Sequence, residues 1–183
     1  MSLKKNLLNK IKEEPDRKLF FFDESRFGTH SKLGYGWFKK GSRTQVKVKL
    51  GYKNFYVYSA VSPRDGETIS IIAPKVNSDW MNLYFAEMSK TLGDSKAFIV
   101  MDQAGWHKSK NLTIPENISI LYLPPYSPEL NPVERLWQYI KNNTIKNKIY
   151  DRLKELENEI CDFLKNLHHD VTKSVCSAGY SLS

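Results

Sequence analysis

The sequence predicts an α/β protein: a mixed sheet that opens with antiparallel hairpins, ends in parallel strands and is flanked by helices. Three observations predict this. Short apolar runs such as "LFFFD", "AFIVM" and "ISILYL" have the length and aromatic content of strands buried on both faces. The segment "SPRDG" between two strand-like runs is a strong hairpin turn. From Asn77 onward, stretches of helical period alternate with strand-like runs, which implies parallel strands with helical crossovers.

Taken in order, "RKLFFFDES" is a first buried strand, ended by acids. "GYGWFKKG" and "TQVKVKL" read as further strands, and "NFYVYSAV" and "ETISIIAP" as a hairpin pair. "NSDWMNLYFAEMSKTLG" is a helix, with Asn77 or Ser78 as its N-cap and Gly93 as its stop. "KAFIVMD" is a buried strand, "HKSKNL" a short helix and "ISILYLPP" a strand stopped by prolines. "NPVERLWQYIKNN" is an amphipathic helix with Val133, Leu136, Trp137 and Ile140 on one stripe. "DRLKELENEICDFLKNLHH" is another, turning Leu153, Leu156, Ile160, Leu164 and Leu167 inward. The last dozen residues carry no clear pattern and are expected to fray. The expected organisation is an N-terminal extension over 1–17, one domain over 18–150, and a C-terminal helix and tail over 151–183.

With 183 residues, 40% hydrophobic, the chain is long enough for a real core and is not of disordered composition. Two cysteines do not make a secreted disulfide scaffold, and no apolar span suits a membrane or a signal peptide, so a cytoplasmic protein is expected. Cys161, His168, His169 and Cys176 have no usual zinc spacing. Lysine and arginine number 28 against 20 acids, a formal charge of +8 that favours an anionic partner such as nucleic acid. The segment around Lys39, Lys40, Arg43, Lys47, Lys49 and Lys53 has no acid and several aromatics. It reads either as a solvated strand face or as a phosphate-tracking surface with stacking platforms.

Three acids stand at element ends: Asp23 after "LFFF", Asp102 after "AFIVM", and Glu134 in the first turn of a helix. Carboxylates at the ends of adjacent parallel strands meet at one sheet edge, where open α/β sheets bind ligands. Three ionised carboxylates crowd together only around a cation, and hard divalent ions suit that oxygen environment. Each acid also has a plain structural reading. For Glu134 that reading is specific: with Asn131 as N-cap and Pro132 first in the helix, Glu134 takes the third position of a capping box.

"FFDES", "VMDQAGWHKS" and "LPPYSPELNPVERLW" together resemble the DDE transposases of the mariner-type superfamily, in their bacterial insertion-sequence branch. The resemblance spans roughly Lys18 to Ile149. It implies a ribonuclease H-like fold and metal-dependent DNA cutting and joining, with Asp23, Asp102 and Glu134 as the catalytic, metal-binding acids. The implied cofactor is Mg²⁺, with Mn²⁺ able to substitute. The implied partner is double-stranded DNA, as element ends and as target, met by a possible homodimer in the nucleoid. His107 and Tyr126 join the basic segment as candidate DNA contacts. His107 would otherwise pack against its loop, Tyr126 and Ser127 would shape the turn, and Trp137 and Trp80 would fill the core.

Three departures accompany the resemblance. Asp102 and Glu134 stand 32 positions apart (134 − 102), slightly closer than is usual, which implies a trimmed loop around Thr113–Asn117. Gln103 stands where relatives often carry asparagine. Only residues 1–17 precede the first strand, where relatives carry helix-turn-helix segments, so an upstream polypeptide supplying them, or a truncated copy, is expected. A nuclease without strand transfer and an inactive DNA-binding remnant are the alternatives.

Overall fold

The computed structural model describes residues 9–10, 12–29, 53–125, 127–146 and 148–177. The segments expected as strands over 34–41 and 44–50 lie outside them. Five strands form one sheet: β1 (Lys18–Gly28), β2 (Asn54–Val61), β3 (Thr68–Ala73), β4 (Ala97–Met101) and β5 (Ile118–Tyr122), in the order β3-β2-β1-β4-β5. β1, β2 and β3 pair antiparallel, whereas β4 and β5 run parallel to β1. The mixed sheet expected from the sequence is therefore present, with β1 at its centre.

Strand alternation decides what each face buries. Phe20, Phe22, Ile99 and Met101 face helix α1 (Ser78–Leu92), which buries Met81, Tyr84, Phe85 and Met88 against them. Asn77 caps α1 by accepting from the Trp80 N–H at 3.0 Å, and Gly93 ends it with φ 56°. On the opposite face, Phe21, Phe27, Val57, Phe98 and Val100 meet α2 (Val133–Thr144), α3 (Leu153–Lys165) and α4 (His169–Ser177). All five residues of β4 are buried, since helices cover both its faces, and this is why it reads as an unbroken apolar run.

Two expectations need correction. Asp23 does not end its strand. β1 continues to Gly28 because β2 goes on pairing with it beyond the reach of β4, with Asp23 opposite Ser59. Nor does the tail lack structure up to Ser177. α4 buries Thr172 and Cys176, and Cys176 joins the core beneath α2. In the turn between β2 and β3, Gly66 has φ 82°, and a Cβ there would lie 2.0 Å from the His169 carbonyl oxygen. The hairpin therefore receives the start of α4 at the one residue without a side chain.

Candidate active site

The β1–β4 register pairs Phe21 with Val100. Continued by two residues, it brings Asp23 level with Asp102, the first residue past β4. Asp23 follows the alternation of Phe21, and Asp102 that of Val100, so both belong to the face that carries α2. Asn131 brings the start of α2 to the same place: its amide donates to the Phe22 carbonyl at 2.9 Å, and its side-chain oxygen accepts from the Val133 N–H at 3.2 Å. Asp23, Asp102 and Glu134 thus line one cavity of about 430 Å³, with Gln103, Leu123, Pro124, Pro125 and Ser127 on its other walls.

Glu134 does not close a capping box. Among the described residues nothing donates to its carboxylate, which is exposed toward the cavity, and Asn131 organises the helix start without it. Asp23 accepts from Trp137 Nε1 at 3.0 Å. Burial pushes the Asp23 carboxyl from its ordinary 3.8 up to about 7; the charges of Glu134 and Glu24 add to this, and the Trp137 hydrogen bond opposes it. Asp102 Oδ1 accepts from the Ala104 N–H at 3.0 Å and lies 2.6 Å from His107 Nδ1.

His107 is 1% exposed and does not line the cavity. Of the two positions open to it, it takes the packed one, with its other nitrogen 2.9 Å from Glu24 Oε1. Burial works against its charged form, but the hydrogen bond and charge of Glu24, with those of Asp102, outweigh burial and raise its proton affinity. Lys39, Lys40, Arg43, Lys47, Lys49 and Tyr126 lie outside the described residues, and Lys53 is exposed just before β2.

Two residues beyond those expected at the site emerge here. Trp137 does fill the core, edge-on to Phe27, but its N–H also holds Asp23. It lies one helical turn past Glu134, and that spacing was a usable signal. Glu24 follows Asp23 in a strand, so it must face the other way, into a buried layer where a carboxylate needs donors. It finds them in His107 and in Trp106 Nε1 at 3.0 Å.

The donor set is all oxygen and anionic, which suits a hard divalent cation, and a carboxylate crowded enough to hold its proton near neutrality is consistent with one. As the side chains stand, no three His, Cys, Asp or Glu groups among the described residues form a closed ligating cluster. The residues fit the ion in chemistry, and three of them line the same cavity.

The crowding has a measurable consequence in metal-free protein. Between 3.8 and about 7 the folded chain holds an Asp23 proton that the unfolded chain has lost. His107, also raised in the fold, keeps its proton as pH rises above 6.5. Both shifts mean stability present at low pH and lost as pH rises through the folded values. In EDTA, the thermal midpoint should fall from pH 5 to pH 8, and Asp23→Asn should flatten that fall. Equal slopes for wild type and variant would show that Asp23 does not titrate there.

A sheet of this order, with carboxylates from two adjacent parallel strands and a following helix on one cavity, has a ribonuclease H-like fold. Residues 18–157 match the family described as DDE superfamily endonuclease, and the chain belongs to it. It is 36% identical over 107 residues to the protein y4pE/y4sA of Sinorhizobium fredii, covering 58% of this chain and 79% of that one. It is 28% identical over 170 residues to the Tc3 transposase of Caenorhabditis elegans, covering 86% of this chain and 52% of that one. A solved paired-end complex of Mos1 transposase with the left transposon end superposes with a TM-score of 0.72 at 12% identity, over 95% of this chain and 56% of that one. The chain thus spans about half the length of these two transposases. Among the described residues no helix is long and apolar enough to cross a membrane.

Proposed function

We propose that this chain is the catalytic part of a DNA transposase, cutting DNA at element ends and joining the 3′-OH to target DNA. The observation that carries the reading is the convergence of Asp23, Asp102 and Glu134 on one cavity, from two parallel strands and a helix start. Mg²⁺ or Mn²⁺ held there would supply activation of an attacking oxygen and charge stabilisation of a leaving one. Mos1 paired-end complexes have been solved with Mn and with Mg, which supports the choice of ion.

The chain's own residues have distinct tasks. Asp23, held at one oxygen by Trp137, would be a ligand of the cation. Asp102 stands beside it on the neighbouring strand. Glu134 would be a third ligand, from a helix anchored to β1 by Asn131. Ser127 and the two prolines form the wall along which a phosphate backbone would lie. The net charge of +8 supports DNA as the partner, with the basic segment up to Lys53 as its sequence-indifferent contact. Element-end recognition is assigned to helix-turn-helix segments on further polypeptide, and two copies of the site act on two ends. Such a protein works in the cytoplasm, on the nucleoid.

Metal binding tests the site, and strand transfer tests the reaction. Mn²⁺ affinity of the 183-residue chain, measured by calorimetry with duplex DNA present, should fall by about tenfold or more in Asp23→Asn and Asp102→Asn. With end DNA and the end-binding segments supplied, a supercoiled target plasmid should acquire joined products. Cleavage without joining would make the protein a nuclease, and unchanged Mn²⁺ affinity in both variants would remove the site.

A further inference from the structure

Resting on that reading of the site, we infer that Glu24 and His107 are positioning residues that lock one oxygen of Asp102, so that this aspartate meets the cation through Oδ2 alone. Asp102 has left the sheet, and its side chain is 60% exposed. An aspartate so placed would ordinarily sample several rotamers, and ordering it would cost binding energy. Here Oδ1 is held twice, by the Ala104 N–H at 3.0 Å and by His107 Nδ1 at 2.6 Å.

The histidine is itself fixed. It is buried, with its ring edge-on to Phe22 at 5.7 Å, and its carbonyl accepts from the Tyr122 hydroxyl at 2.7 Å. Its far nitrogen meets Glu24 Oε1 at 2.9 Å. Glu24 lies on β1, opposite Tyr58 of β2, and its side chain is 6% exposed. A buried carboxylate is costly, and a leucine would fill the space at lower cost. Its charge is explained if it must hold the imidazole.

Neither Glu24 nor His107 lines the cavity, so neither is a ligand. Adjacent residues of β1 thus both bear on the site. Asp23 acts directly on one face, and Glu24 acts through the sheet edge on the other, by way of His107. Groups behind a metal ligand typically change metal affinity about 10–100-fold when removed.

The geometry of the amides makes the test. The side-chain nitrogen of asparagine falls near the place of Nδ1, so His107→Asn can still donate to Asp102 and loses Glu24. The longer glutamine reaches toward Glu24, so His107→Gln leaves Asp102 Oδ1 without its ring donor. Mn²⁺ dissociation constants of the full chain, read from the free-ion paramagnetic resonance signal, should rise about tenfold in His107→Gln and at most about threefold in His107→Asn. Circular dichroism should confirm folding of each variant. A histidine that merely fills space would give equal values for the two, and that result overturns the inference, as does unchanged affinity in both. Should His107→Gln not fold, Glu24→Leu takes its place; it removes the anchor and leaves the ring, and unchanged Mn²⁺ affinity there overturns the inference as well. Asp102→Asn is the reference. If it binds Mn²⁺ like wild type, the reading of the site itself has failed; if it binds weakly while the His107 variants do not, only the positioning role has.

Discussion

Replacing Glu134 by glutamine should lower DNA cleavage by at least about a hundredfold, while the metal-free protein keeps or gains thermal stability. The two halves of this result have separate causes. Glutamine keeps the length and polarity of the side chain, and it could serve a capping box as well as glutamate. The box is in any case not formed, since Asn131 satisfies the Val133 N–H and accepts the Glu134 N–H at its carbonyl. Helix α2 therefore loses nothing at its start. What glutamine lacks is the negative charge that offsets a cation. The same charge, without the cation, is a burden: it is among the causes that raise the Asp23 carboxyl toward neutrality. Its removal relieves Asp23, so the melting midpoint in EDTA should hold or rise. Cleavage of labelled end DNA with Mg²⁺, the end-binding segments supplied, reads the other half. A glutamine variant that cleaves at nearly the wild-type rate would end the assignment of Glu134 as a ligand, and the three-carboxylate site with it.

The three acids were legible because Asp23 closes an apolar run, Asp102 follows the last residue of β4, and Glu134 stands in the first turn of α2. Apolar runs of four and five residues, Leu19–Phe22 and Ala97–Met101, located β1 and β4, and "NPVER" located the start of α2. What periodicity could not show was which face each acid joined. That depends on register: the Phe21–Val100 pairing places Asp23 and Asp102 on one side together. Glu24 was overlooked for a related reason. Beside Asp23 it reads as half of an ordinary strand-end pair, but alternation sends it into the opposite layer, where only the folded chain reveals His107 and Trp106 as donors. β1 was drawn too short because charged Glu24 and Arg26 interrupt its apolar pattern, while the pairing with β2 continues regardless. α4 was missed because "HDVTKSVCS" offers little intrinsic preference; it is made by docking, through Thr172 and Cys176.

That docking is the basis of the second large effect. Gly66→Ala should destabilise the protein by about 2–4 kcal/mol, lowering the thermal midpoint by roughly 5–15 °C for a chain of this size. Two penalties combine. The left-handed φ of 82° is strained for any residue with a Cβ. The new Cβ would also lie 2.0 Å from the His169 carbonyl oxygen and 2.7 Å from its carbon, and backbone atoms at the head of a helix cannot step aside as a flexible side chain can. Gly93 separates the two terms. Its φ of 56° is also left-handed, but nothing lies within 4 Å of a Cβ built there. Gly93→Ala should therefore show the strain alone, about 1–2 kcal/mol, and the excess in Gly66→Ala measures the clash. The relief is for α4 to lift from the hairpin, which would uncover Cys176. Burial raises that thiol to about 11 and shields it from alkylation in the native protein. Mass-mapped iodoacetamide labelling of Cys176 should be faster in Gly66→Ala and unchanged in Gly93→Ala. Because Cys176 shares its core with Leu136 and Trp137, lifting α4 also loosens the helix that carries Glu134 and the N–H that holds Asp23. Cleavage should fall along with stability, in a variant whose substitution touches no acid. Equal losses of stability in the two alanine variants, with Cys176 equally protected, would mean that α4 does not rest on the hairpin at Gly66.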